Sequence, residues 1–187
     1  MIFEEGNIYH VYNRGNNKEK IFFNNYNYLY FIEKIRAFVL PYTDVLAWCL
    51  MPNHFHLMIK VNCVTFNNVS LNNSIGRMLS SYTRAINNQE NRTGSLFQKH
   101  TQAVCLTAIE GITPAWYKTF GVTVINVNLP EKDYTTVCME YIHYNPVKDG
   151  LVNKPEEWKF SLFREYIGLA DSYLINIEKG MCYFNYS

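Results

Sequence analysis

The chain has 187 residues, 48% of them hydrophobic and 18% charged. That composition supplies one sizeable core and excludes disorder as the main state. Net charge is only +1, unlike a strongly basic nucleic-acid binder, and the charges are unevenly placed. Ten Lys and Arg stand against six Asp and Glu in residues 1–105, and seven against ten in residues 106–187. Phosphate-contacting surface is therefore expected in the first part, although chance gives such a split as readily.

The five cysteines are odd in number, widely spaced and without a C-x-x-C, which argues against a disulfide framework and a cysteine zinc site. A reducing cytoplasm is the expected location. The acidic start, Met1 to Gly6, does not read as a secretory leader, and no apolar run approaches the roughly 20 residues of a membrane span. The 15 tyrosines could reflect codon usage, so their abundance says nothing about catalysis.

Alternation over Asn7–Asn13 predicts a strand ended by Gly15, followed by a polar loop. From Asn25 to Leu40, Tyr28, Phe31, Ile32, Ile35, Phe38 and Val39 recur at helical spacing, and Pro41 stops the helix. Thr43–Leu50 suits a buried central strand. Met51-Pro52-Asn53 makes a turn, and His54–Val61 returns as the second arm of an antiparallel hairpin. Asn67–Ser70 reads as the entry to a helix running to about Asn88. Ser95–Leu106 reads as a strand or extended arm. Residues 107–130 are least defined, with a short strand at Thr123–Val127 between Pro114 and Pro130. A helix over Glu131–Tyr144 is expected to end at Pro146, and a short helix near Glu156–Ile167 precedes a tail. The order implies a single α+β domain over residues 1–187, with a mostly antiparallel sheet and helices packed on it.

Two segments carry chemistry. Residues two apart on a strand share a face, so His54 and His56 project together while Phe55 and Leu57 enter the other side. Two such imidazoles can share a metal ion, or can simply be two partly buried histidines. Near the end of the later helix, Tyr141 and Asn145 lie one turn apart and put a phenol and an amide into one space. The competing reading is an aromatic core stripe that stops at Pro146. Tyr82 reads as core. Tyr134, seven residues before Tyr141, could line the same surface. Tyr144 could stack on a base but is expected to be buried, and Glu140 and His143 lie on other helix faces.

Together these segments resemble the single-tyrosine HUH transposases (His, hydrophobic residue, His), most closely the REP-associated tyrosine transposases. The matching stretches are Tyr9-His10-Val11 with Asn13-Arg14-Gly15, Met51-Pro52-Asn53-His54-Phe55-His56-Leu57, Gly94-Ser95-Leu96-Phe97-Gln98 and Tyr141-Ile142-His143-Tyr144-Asn145-Pro146-Val147. Trp158 and Ser161 resemble a Trp-x-x-Ser element. The order is that of the family, and residues 107–130 match less clearly.

The resemblance implies a ferredoxin-like core with His54 and His56 as a metal-binding pair on a central strand. It places Tyr141 at the catalytic tyrosine position and Asn145 at the third metal ligand. Mg²⁺ or Mn²⁺ is the implied cofactor, and two imidazoles favour Mn²⁺ somewhat. The implied partner is single-stranded DNA that folds into hairpins, cut and rejoined through a 5′-phosphotyrosine. Arg14, Arg77, Arg84, Arg92 and Lys99 are the candidate phosphate contacts. A homodimer exchanging tyrosine helices and a monomer with a site completed in one chain both fit the family. Two rival functions stay open. One is a non-cleaving binder of nucleic-acid hairpins descended from a transposase, and the other a metal hydrolase in which Tyr141 is structural.

Overall fold

Alternating residues of β1 (Ile8–Arg14) bury Tyr9, Val11 and Asn13, and the strand lies inside a four-stranded antiparallel sheet. The structure is a computed structural model, and it describes residues 1–107, 116–119, 122–125 and 131–170. Helix α1 (Asn25–Phe38) leads to β2 (Thr43–Met51) and β3 (His54–Val61). A small hairpin of β4 (Thr65–Phe66) and β5 (Val69–Ser70) opens α2 (Leu71–Gln89), and β6 (Gln102–Cys105) closes the sheet in the order β2-β3-β1-β6. Strand, helix, strand, strand, helix, strand in that spatial order is the ferredoxin-like arrangement. Outside the sheet, β7 (Trp116–Thr119) pairs with β8 (Val122–Ile125), and α3 (Glu131–Lys148) and α4 (Phe163–Tyr166) follow.

Helices α1 and α2 begin where side chains replace missing backbone partners. Asn24 caps α1 by accepting from Asn27 N at 3.2 Å, and Ser70 caps α2 by accepting from Asn73 N at 3.3 Å. Helices α1 and α2 cover one face of the sheet through an aromatic cluster. Phe31, fully buried, places its ring 5.1 Å from Phe55 and 4.9 Å from Tyr82. Phe55 is the residue between the two site histidines, so this cluster sets the depth of β3. Phe31→Ala is expected to cost about 3–5 kcal/mol, as deletion of a buried aromatic does, and a urea midpoint measures it. A loss under about 1 kcal/mol would mean the cluster does not anchor the strand.

Helix α3 packs on the opposite face, against β2, through buried Met139 and Ile142. Near Val45–Ala47 the β2–β3 register shifts, and the Tyr166 hydroxyl donates to the Leu46 carbonyl at 2.7 Å. Trp158 Nε1 donates to the Leu50 carbonyl at 3.1 Å, and Ser161 bridges to Cys49, so the Trp-x-x-Ser segment seals the edge of β2.

Several expectations need correction. Helix α3 continues through Pro146 to Lys148 rather than ending before it. A proline removes one donor, but Pro146 is buried near the helix end, and bonds from Asp149 N to Asn145 O and Leu151 N to Pro146 O cap the last turn. Tyr144 is exposed rather than buried, at 45%. The expected helix over Glu156–Ile167 is a 3₁₀ turn at Pro155–Glu157, an extended stretch at Trp158, and the four-residue α4. Segment 95–106, in agreement with the strand or arm expected there, makes one bridge from Gly15 to Phe97 and then enters β6. Asn67 and Asn68, both at positive φ, make the β4–β5 turn, and Ser70 then caps α2, in agreement with the helix entry expected at Asn67–Ser70. The end of the Thr123–Val127 strand beyond Ile125, Pro114, Pro130 and the tail after residue 170 lie outside the described residues. Among the described residues, no helix is long and apolar enough to cross a membrane.

Candidate active site

The β1–β3 register pairs Arg14 with His54 and Tyr12 with His56, which brings His10, Tyr12, Arg14, His54 and His56 onto one face. Helix α3 lays a stripe spaced by four and three residues over that face: Tyr134, Cys138, Tyr141, Asn145 and Lys148. Asn145 is buried between the histidines. Its Oδ1 is 3.3 Å from His54 Nε2, and its Nδ2 is 3.1 Å from His56 Nε2. The Tyr141 ring stands edge-on to His56 at 5.5 Å and to His10 at 6.2 Å, and is 39% exposed. His54, His56, Asn145 and Tyr141 thus meet within one chain, with the phenol on the solvent side.

The local backbone explains why His54 points inward. A Cβ at Gly15 would run into the Glu19 carbonyl, so only glycine lets the 16–20 loop fold back beneath the β2–β3 turn. Gly15 N donates to Asn53 O at 2.8 Å, and Asn53 Nδ2 donates to the Lys18 carbonyl at 3.2 Å. The Asn53 amide is thereby oriented, and its Oδ1 faces His54 Nδ1 at 2.5 Å. An amide oxygen only accepts, so the His54 proton sits on Nδ1 and Nε2 keeps its lone pair.

That lone pair faces the Asn145 oxygen, another acceptor, while His56 Nε2 lies beside the same amide. Two imidazole lone pairs and one amide oxygen converging on a small region suit a divalent cation of borderline character. The described residues contain no cluster of three or more His, Cys, Asp or Glu placed to hold a metal, and the polar group that lies between the two imidazoles is the Asn145 amide.

Burial, then the Arg14 charge, lowers the pKa of His54. Burial lowers that of His56 further, with His10, His54 and Arg14 adding to it. Both rings are neutral, as ligation requires. Burial raises the Tyr141 phenol, opposed by the neighbouring Asn145 amide and the Arg14 charge. The free site therefore holds a phenol rather than a phenolate. Lys148 Nζ lies 5.0 Å from the Tyr141 ring centroid.

Burial also holds His10 at about 4 and His143 at about 3. Unfolded, each titrates near 6.5. The unfolded chain then binds more protons between those values, so stability is complete above about pH 6.5 and falls as pH drops toward 4. The expected loss at pH 5 is about 2 kcal/mol for each of these two histidines. Urea midpoints at pH 7 and pH 5 with chelator present measure it, and equal midpoints would contradict it.

The other basic residues lie elsewhere. Arg77 and Lys99 line one depression of about 560 Å³, and Arg84, Arg92 and Lys99 line a second of about 720 Å³. The two share Gly76, Ser80, Lys99 and Thr101 and form a groove between α2 and segment 95–101, with no Asp or Glu among the lining residues. Asn13 points into it, on the side opposite the histidines, and donates to Gln98 O at 3.2 Å and Thr101 Oγ1 at 2.9 Å. Arg92 is held by Glu19 at 3.3 Å. Of the five basic candidates, only Arg14 shares the histidine face. His10 and Asn53 are site residues that sequence reasoning did not assign. Their one signal was the alternation that puts His10 on the Tyr12 face, and the register that aims it at His56 is not written in the local sequence.

No protein-family model matches the chain. A Haemophilus influenzae protein, itself only provisionally assigned as a REP-associated tyrosine transposase, is 26% identical over 120 residues. The match covers 64% of this chain and 58% of that relative, so it spans little more than half the relative's length. The solved structure of a REP-associated tyrosine transposase bound to a REP hairpin aligns over 94% of both chains, with a TM-score of 0.57 and 17% identity. At that identity the likeness is one of fold. In sequence over part of its length, and in fold over nearly all of it, this chain resembles the REP-associated tyrosine transposases.

Proposed function

We propose that this chain is a metal-dependent transesterase that cleaves and rejoins single-stranded DNA beside a hairpin through a 5′-phosphotyrosine. The observation that carries the proposal is the meeting of two histidine Nε2 atoms, the Asn145 amide and the Tyr141 ring within one chain. Hairpin DNA is proposed as the partner because the solved structure of similar fold holds a REP hairpin.

A phosphodiester repels nucleophiles because its oxygens are negative. His54, His56 and Asn145 would hold a divalent cation, which would supply compensating charge at the scissile phosphate. Tyr141 is the nucleophile: its oxygen bonds to phosphorus, the P–O3′ bond breaks, the phenolic proton is released, and the departing oxygen is protonated to a 3′-hydroxyl. The ester retains the bond energy, so a second 3′-hydroxyl can attack it and restore the phenol while joining a strand. Arg14, beside His54 in the register, supplies positive charge on the same face. Proximity of the Lys148 ammonium to the Tyr141 ring favours the phenolate as the proton leaves.

The groove along α2 takes the backbone of the folded part of the DNA in this reading. Its lining of Arg, Lys, Asn, Ser and Thr suits phosphate contacts that position without reading sequence. Replacing Arg77, Arg84 and Lys99 together by Ala is expected to weaken hairpin binding about tenfold or more and to lower the salt slope by about one per charge removed. Cleavage at saturating DNA should change little. Arg92→Ala should do less, because Glu19 already holds that guanidinium. Fluorescence anisotropy at several salt concentrations reads these outcomes, and an unchanged slope would remove the groove from the account.

The function itself is tested with a labelled hairpin oligonucleotide carrying a single-stranded flank, incubated with the chain and Mn²⁺. A protein–DNA adduct that survives denaturing electrophoresis is expected. Binding without any cleavage would support a non-cleaving hairpin binder, and cleavage without an adduct would support a hydrolase.

A further inference from the structure

One half-buried side chain on the histidine face has no part in the proposed chemistry. His10, from the centre of β1, places its Nε2 2.9 Å from His56 Nδ1, with the rings 5.0 Å apart and inclined by 28°. Tyr12 and Tyr141 flank the His10 ring at 4.8 and 6.2 Å. On its other side, His56 Nε2 faces the Asn145 amide nitrogen at 3.1 Å.

An amide nitrogen donates and cannot accept, so His56 Nε2 holds its lone pair and the ring proton lies on Nδ1. That N–H then donates to His10 Nε2. A metal-ligating histidine needs this same division, with one nitrogen free to ligate and the other donating to a fixed acceptor. The usual acceptor is a carboxylate, a carbonyl or water, and here it is a second imidazole.

We infer that His10 is a positioning residue. Resting on the metal-site reading above, it accepts the His56 Nδ1–H and so holds the His56 Nε2 lone pair, and the ring plane, toward the side where Asn145 and His54 converge. A purely space-filling His10 would be replaceable by any ring of similar size. An acceptor at this position would not.

The test uses the full chain and Mn²⁺ alone. Binding is followed by the loss of the free Mn²⁺ electron paramagnetic resonance signal, and the His56 tautomer by ¹⁵N NMR of the metal-free protein. His10→Phe keeps a ring and removes the acceptor, and is expected to weaken Mn²⁺ binding by about 10–100-fold. His10→Gln retains an acceptor and should stay within about threefold of wild type. In the wild type, His56 should carry its proton on Nδ1. Wild-type affinity in His10→Phe overturns the inference and leaves the metal site standing. So does an equal loss in both variants, or a proton on Nε2 of His56 in the metal-free wild type. A wild-type chain that binds no Mn²⁺ overturns the metal site and this inference with it. The tautomer measurement needs no variant, so a His10→Phe chain that fails to fold leaves a decisive reading.

Discussion

Tyr141→Phe is expected to reduce adduct formation at least about 1,000-fold while leaving hairpin affinity within about twofold. The reason is local. The substitution removes one oxygen from a side chain that is 39% exposed, so the fold loses little. The expected stability change is under about 1 kcal/mol. The chemistry loses its nucleophile entirely, and no neighbour replaces it: Tyr134 lies seven residues, about two helical turns, along the same stripe, and Tyr144 is on another face. Single-turnover assays with a labelled hairpin, alongside anisotropy, separate the two effects. Cleavage surviving in Tyr141→Phe would point to water as the nucleophile.

His56→Ala combines two losses. It removes a proposed ligand, which should cut adduct formation at least about 100-fold even at saturating Mn²⁺. It also leaves the Asn145 amide nitrogen and His10 Nε2, both now bonded to His56, facing a small void. Polar groups stranded in that way cost about 1–3 kcal/mol. His54→Ala should match it in activity with a smaller stability cost, because the Asn53 side chain it releases stays bonded to Lys18 at the surface. Adduct rates and urea midpoints for the two variants check this ordering. Activity retained in both would remove the metal from the mechanism.

The sheet was legible because its rules are local. Alternation in β1, the turn at Pro52-Asn53 and the helical spacing of Tyr28, Phe31 and Ile35 each follow from neighbouring residues, whereas the order β2-β3-β1-β6 was implied only by the family resemblance and its ferredoxin-like core. Each pair of the candidate site was legible for the same reason: a strand puts His54 and His56 on one side, and a helix turn joins Tyr141 to Asn145, while the meeting of the two pairs was implied only by the resemblance. What the sequence hid depends on contacts distant in the chain. Register alone decides that His10 meets His56. The helix end at Pro146 depends on burial, which overrides the proline signal. Tyr144 is exposed because the neighbouring Ile142 and His143 occupy the buried side of α3, which leaves Tyr144 only an edge contact with Phe163 at 6.3 Å. The basic residues looked like one set, yet Asn13 and Arg14, adjacent in β1, point to opposite faces and divide them between two surfaces.

The most direct test of the central claim is to find where the DNA becomes attached. Wild-type chain is incubated with Mn²⁺ and a cleavable hairpin, the adduct is digested with nuclease and trypsin, and peptides are fragmented in a mass spectrometer. Cleavage after Lys132 and Lys148 yields one peptide, Asp133–Lys148, holding Tyr134, Tyr141 and Tyr144. The account predicts a phosphonucleotide on Tyr141 alone. A label on Tyr134, Tyr144 or any other residue, or cleaved DNA with no labelled peptide, would contradict it.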